Sequence, residues 1–185
     1  MNVSRMSDEE LVSGCIRKDP KAQRYLFDTF SGRLMGVCMR YCDSREEAED
    51  ILQDGLVKIF ERIGTFKGNG SLEGWMRRIV VNTALDQFRK NKAFRNSFDI
   101  SEMEHVAGVT DHVLETMDAR DMLKVIKALP TGFRTVFNLY AIEGYHHKEI
   151  ADMLGITEST SKSQYSRARG QLIKMLRKEN EYHTL

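Results

Sequence analysis

The chain holds 185 residues, 41% of them apolar and 30% charged, with 28 basic side chains against 27 acidic and a formal net charge of +1. These values exclude disorder throughout and leave room for one or two small domains. Two prolines, no apolar run of about 18 residues and three cysteines exclude a strand-and-turn architecture, a bilayer span and a disulfide framework in turn. The expectation is an all-α chain with free thiols at Cys15, Cys38 and Cys42. Asp8, Glu9 and Glu10 argue against a secretory signal, which makes the expected location cytoplasmic.

Ser7 and Glu10 have the spacing of a capping box, so a short helix is expected to about Lys18. Asp19 caps the next. Pro20 suits its first turn, and Leu26, Phe27, Phe30, Leu34, Val37, Met39 and Tyr41 supply an apolar stripe to about Cys42. Ser44 and Glu47 repeat the capping box. The following helix carries Ala48, Leu52, Gly55, Leu56, Ile59, Phe60 and Ile63 on one face and is expected to stop at a left-handed Gly64. Gly68, Asn69 and Gly70 mark a loop, and Ser71 restarts a helix whose stripe is Leu72, Trp75, Met76, Ile79, Val80, Leu85 and Phe88. These four helices make one module.

Periodicity fades after Lys92. Residues 96–118 read as a flexible linker holding six acids (Asp99, Glu102, Glu104, Asp111, Glu115, Asp118) and no Lys or Arg. It is flanked by basic segments: six cations against Asp86 alone from Arg77 to Arg95, and six against none from Thr160 to Lys178. The near-neutral total therefore conceals two basic modules on an acidic tether. Beyond it a helix is expected to end before Pro130, a second to run from Phe133 to Glu143 with Gly144 closing it, a third from His147 to Leu154 with Gly155, and a long basic one from Glu158 to about Glu179. The expected domains are 1–95 and 119–185.

The last two helices have the pattern of a helix-turn-helix. Ala151 is small enough for a close crossing, Gly155 makes the turn, and Leu154 and Ile156 anchor it. In the second helix, position 161, Tyr165, Ala168 and Leu172 face the core, although Ser161 stands where an apolar anchor is expected. Lys162, Ser163, Ser166 and Arg167 then turn outward as candidate readers of duplex DNA, with Arg169 and Lys174 toward its backbone.

A different chemistry marks the first module. Phe66, Lys67, Asn69 and Ser71 around a Gly-Asn-Gly loop, followed by Trp75, Arg77, Arg78 and Asn82, combine rings for stacking, a cradle, phosphate charges and an amide. Such a set suits unpaired bases, although Trp75 lies on the apolar stripe, where core packing is the favoured reading. Asp50, Gln53 and Asp54 lie past the first turn of their helix, too far in for the macrodipole to explain, and form a patch fit for a basic partner. Cys38 with Cys42 and the adjacent His146 and His147 lack zinc spacing and read as buried thiols and a solvated pair. Neither a nucleotide-binding nor a metallohydrolase motif is present, so no metal, cofactor or catalytic residue is expected.

Taken in order, Ala48-Glu-Asp-Ile-Leu-Gln-Asp54, Phe66-Lys-Gly, Trp75-Met-Arg-Arg-Ile-Val-Val-Asn82, Ala128-Leu-Pro130, Glu149-Ile-Ala and Ser166-Arg-Ala-Arg169 resemble an extracytoplasmic-function (ECF) sigma factor of bacterial RNA polymerase. The resemblance implies a four-helix sigma-2-like domain and a helix-turn-helix sigma-4-like domain. It implies that Asp50, Gln53 and Asp54 dock on the clamp coiled coil of core polymerase. It also implies that the loop from Phe66 to Leu72 and Asn82 capture extruded bases of the minus-ten strand. The second domain would read the minus-thirty-five duplex while gripping the polymerase flap, and an anti-sigma factor is a further partner the family allows. The alternative from the residues alone is a two-domain helix-turn-helix regulator that works without polymerase.

Overall fold

A computed structural model of the chain describes residues 6–90 and 119–182; the expected acidic linker lies outside them. Among the described residues every regular element is helical, and the chain divides into two compact units between Gln87 and Phe88.

The first unit begins with α1 (Asp8–Ile16), which starts where its backbone donors are satisfied: Glu10 N–H donates to Ser7 Oγ at 3.2 Å and Ser7 N–H to Glu10 Oε2 at 2.9 Å. The helix ends before the expected Lys18, which takes a left-handed φ of 59° and lets Asp19 N–H reach back to the Gly14 carbonyl at 3.0 Å. Asp19 Oδ1 accepts from Lys21 N–H at 2.9 Å and opens α2 (Pro20–Tyr41). Gly14 allows α1 and α2 to touch: a Cβ there would stand 2.6 Å from Cβ of Ala22. Along α2 the buried residues are Ala22, Leu26, Phe30, Leu34, Val37, Cys38 and Tyr41, whereas Phe27, expected in the stripe, is 46% exposed.

In α3 (Arg45–Arg62), Ser44 Oγ accepts from Glu47 N–H at 3.1 Å, but the Glu47 carboxylate takes the N–H of Asp43, so the expected capping box is only half made. Its core face is Ala48, Ile51, Gly55, Leu56 and Ile59; Leu52 and Phe60 are only half-buried. Gly64 is not left-handed. Instead the helix tightens into a 3-10 turn (Ile63–Thr65) that buries Ile63, and the Thr65 hydroxyl donates to the Arg62 carbonyl at 2.7 Å. A loop with left-handed Gly68 and Gly70 leads into α4 (Leu72–Lys90). Leu72, Met76, Val80, Val81, Ala84 and Leu85 of α4 are sealed from solvent. Polar ties fix this helix to its neighbours: Arg33 with Glu73 at 2.7 Å, and Lys58 Nζ with Thr83 Oγ1 at 3.2 Å and Asp86 Oδ2 at 3.7 Å.

The second unit is built on its last helix. Helices α5 (Ala119–Lys127), α6 (Thr131–Phe137) and α7 (His147–Leu154) all pack on α8 (Glu158–Tyr182). Val125, Ile126, Leu129, Phe133, Phe137, Ala168, Leu172 and Leu176 form the core. Pro130 separates α5 from α6 as its ring requires, and the buried Arg134 donates Nη1 to the Lys127 carbonyl at 3.1 Å, filling an acceptor at the end of α5. The last turn of α6 widens into a π-helix over Asn138–Ile142, with Glu143 N–H on the Asn138 carbonyl, before left-handed Gly144 closes it.

Candidate nucleic-acid interface

Four positions on α3 at spacings of three, one and three residues, Asp50, Gln53, Asp54 and Val57, share the face opposite the core, and all four are exposed. Neither aspartate makes an ion pair among the described residues, whereas nearby Arg45 and Glu49 neutralise each other at 2.8 Å. Val57 was not singled out by the sequence. At 53% exposure it puts an apolar side chain at the end of an acidic stripe, the composition of a docking surface more than of a solvated face.

The loop and α4 make a second surface. Ser71 Oγ accepts from Gly74 N–H at 3.0 Å, so this hydroxyl holds the start of α4. Phe66 and Trp75 lie with ring centroids 5.8 Å apart and planes inclined by 56°, both half-buried, so Trp75 is neither wholly core nor a free platform. Arg78 and Asn82 follow Trp75 at helical spacing and are exposed, as are Lys67 and Asn69. Arg77 lies one residue round the helix and is half-buried, which sets it apart from that row. Rings, an amide and a cation thus lie beside a loop whose glycines adopt conformations closed to most residues.

In the second unit, Gly155 is left-handed with φ 68° and Ile156 N–H bonds the Ala151 carbonyl at 3.1 Å, giving the tight turn of a helix-turn-helix. Thr157 Oγ1 accepts from Thr160 N–H at 3.0 Å and starts α8. Of the residues expected to meet the duplex, Lys162 and Lys174 are exposed; Ser163, Ser166, Arg167 and Arg169 are half-buried. The Ser163 hydroxyl donates to the Thr160 carbonyl at 3.0 Å, so it serves its own helix. Lys162 Nζ lies 2.6 Å from Glu158 Oε1, and this contact holds the Glu158 carboxyl below the usual carboxylate range. The ammonium has three N–H donors, so Glu158 occupies part of its capacity and leaves the rest open to a phosphate or base. Gln164 is buried on the inner face, a polar core position that periodicity did not reveal.

The histidine pair differs from expectation. His146 is exposed, but His147 is half-buried: its Nδ1 lies 2.9 Å from Oγ of the fully buried Ser161, and its ring stacks on Tyr140 at 4.2 Å. Burial, followed by the nearby Lys162, pushes its titration below the usual histidine value, with Glu158 opposing. A depressed histidine favours the neutral fold, so this stabilisation is complete above the unfolded-state value of about 6.5 and drains away as pH falls. In denaturant unfolding, the stability difference between the native chain and His147→Asn should be widest above pH 7 and shrink toward pH 5. A difference that holds constant or widens over that interval contradicts the assignment. The Glu158 contribution is lost only at lower pH, through the carboxylate range.

Residues 26–94 match the description Sigma-70 region 2, and residues 119–172 match Sigma-70, region 4. The ECF RNA polymerase sigma factor SigM of Mycobacterium tuberculosis is 30% identical over 170 residues, spanning 92% of this chain and 85% of that protein. The chain belongs to the ECF sigma factors. The RNA polymerase sigma-H factor of Pseudomonas aeruginosa is 25% identical, with 94% of this chain and 96% of that protein covered. A solved structure of the sigma factor RpoE in complex with the anti-sigma factor NepR, from Bartonella quintana, shares 25% identity at a TM-score of 0.51, covering 83% of this chain and 96% of that one. As a sigma factor this protein associates with core RNA polymerase and directs promoter-specific transcription initiation, and the two matched regions fall one on each unit. Among the described residues no helix of the sigma factor is long and apolar enough to cross a membrane.

Proposed function

We propose that the two units divide promoter recognition as follows. The α3 stripe of Asp50, Gln53 and Asp54, extended by Val57, docks on the clamp coiled coil of core polymerase. Phe66, Lys67, Asn69, Ser71, Trp75, Arg77, Arg78 and Asn82 take up the melted minus-ten strand. Lys162, Ser163, Ser166, Arg167 and Arg169 meet the minus-thirty-five duplex, the same domain gripping the flap. Residues 96–118 tether the domains 1–95 and 119–185, and the protein acts in the cytoplasm without catalysing a reaction. An anti-sigma factor is a further partner, as the similar sigma factor RpoE forms a complex with one.

The observation that carries this reading is the exposed row of Arg78 and Asn82 beside the half-buried Phe66 and Trp75 rings, in the unit that matches region 2. A regulator working without polymerase would need only the helix-turn-helix. Base capture converts binding energy into strand opening: extruding a base costs a few kcal/mol, offset by stacking and hydrogen bonds to the flipped base. Reconstitution with core polymerase on a promoter library tests it. Asn82→Ala should reduce open-complex formation about ten-fold, the equivalent of about 1.4 kcal/mol, while closed-complex binding to duplex stays within two-fold. Equal losses in both steps, or initiation at the same sites without this chain, would overturn the proposal.

A further inference from the structure

Ser161 occupies the position in α8 where a helix-turn-helix packs an apolar side chain against its first helix, and its side chain is fully shielded from solvent. What it meets is directional: Nδ1 of His147, the first residue of α7, at 2.9 Å. The imidazole is itself held. Tyr140, in the π-helical turn, stacks on it with planes 10° apart, and Tyr165, one turn beyond Ser161, tilts against Tyr140 at 4.5 Å and against His147 at 5.9 Å. Phe137 continues the stack onto Tyr165 at 6.0 Å. An apolar contact tolerates rotation and sliding, because dispersion has no preferred direction. A hydrogen bond to a ring nitrogen weakens steeply off its axis, and here Tyr140 stacked on the ring face holds the imidazole in its plane.

We propose that His147 and Ser161, with Tyr140 behind the imidazole, are positioning residues that set the rotation of α8 against α7, and with it the minus-thirty-five bases that α8 selects. Neither residue needs to touch DNA to do this, and Ser161 is too deeply buried to do so. The inference rests on the assignment of the outer face of α8 to the minus-thirty-five duplex.

The test uses the full chain with core polymerase on promoter fragments randomised across the minus-thirty-five bases, with the transcripts sequenced to rank them. Ser161→Ala and His147→Phe remove the same bond from opposite ends, and the second keeps a ring to stack on Tyr140. Both should change the relative use of bases at one or more positions about ten-fold, and in the same direction. His147→Asn, whose amide can still meet Ser161 Oγ, should keep the native ranking. A purely structural role predicts instead a uniform drop across the library that tracks the lost folded fraction, with the ranking intact, and that result overturns the proposal. Shifts in unrelated directions overturn it as well. A control separates the two levels: if Lys162→Ala with Arg167→Ala leaves the ranking unchanged, the assignment of α8 itself is wrong and the inference falls with it. If that pair changes the ranking and the His147 and Ser161 variants do not, only the inference falls.

Discussion

Replacing both Asp50 and Asp54 by lysine should weaken association with core polymerase about 100-fold and leave the fold intact. The two halves of this expectation have separate causes. Both side chains are exposed and neither makes an ion pair among the described residues, so the folded chain loses nothing when they change. They are also like charges one helical turn apart, which costs an isolated helix a few tenths of a kcal/mol. At a basic docking surface, by contrast, each reversal turns an attraction into a repulsion, and like-charge juxtaposition across an interface costs several kcal/mol. Competition with a labelled sigma factor for core polymerase, beside thermal unfolding of the free variant, separates the two effects. Unchanged affinity in a folded variant would remove α3 from the interface.

The second large effect is expected in α8. Lys162→Ala combined with Arg167→Ala should abolish dependence on the minus-thirty-five element, and the salt dependence of duplex binding should become shallower by about one in the log–log slope for each of the two that meets a phosphate, whereas a lost base contact changes sequence preference and leaves the slope alone. The single variants should not be equal. Lys162 is the exposed member and carries Glu158 at 2.6 Å, so its removal also leaves an unneutralised carboxylate facing the DNA. Lys162→Ala should therefore cost more than Arg167→Ala, and adding Glu158→Gln should recover part of the difference. Filter binding of minus-thirty-five duplex by the holoenzyme across a salt series measures both. Equal losses for the two single variants would show that Glu158 does not face the nucleic acid.

Where local chemistry decides a helix end, the sequence was enough to find it. Ser7, Asp19, Ser44 and Ser71 each accept a backbone N–H as their spacing implies, and Gly144 and Gly155 take the left-handed conformation expected of them. Ends set by packing were not legible. Gly64 was expected to stop α3, but burying Ile63 is better served by a tightened turn, and nothing in the residue types distinguishes the two. The site divides along the same line. Periodicity put Asp50, Gln53, Asp54, Arg78 and Asn82 on open faces, where they are found. It could not show that Ser163 spends its hydroxyl on a carbonyl, that Lys162 is already paired, or that Gln164 is buried, because each depends on a partner chosen by three-dimensional contact. His147 is the clearest case: beside His146 it reads as solvated, and only the π-helical turn that delivers Tyr140 holds it half-buried against Ser161.

All three thiols of the chain, Cys15, Cys38 and Cys42, lie in the first unit and are buried, and burial pushes Cys38 up to about 12. Alkylating reagents attack thiolates, so the native chain offers them almost nothing, and adduct formation must wait for a local opening event. The protein thus carries its own labelling clock: the pace of cysteine modification counts excursions of the first unit alone, while the cysteine-free second unit stays silent.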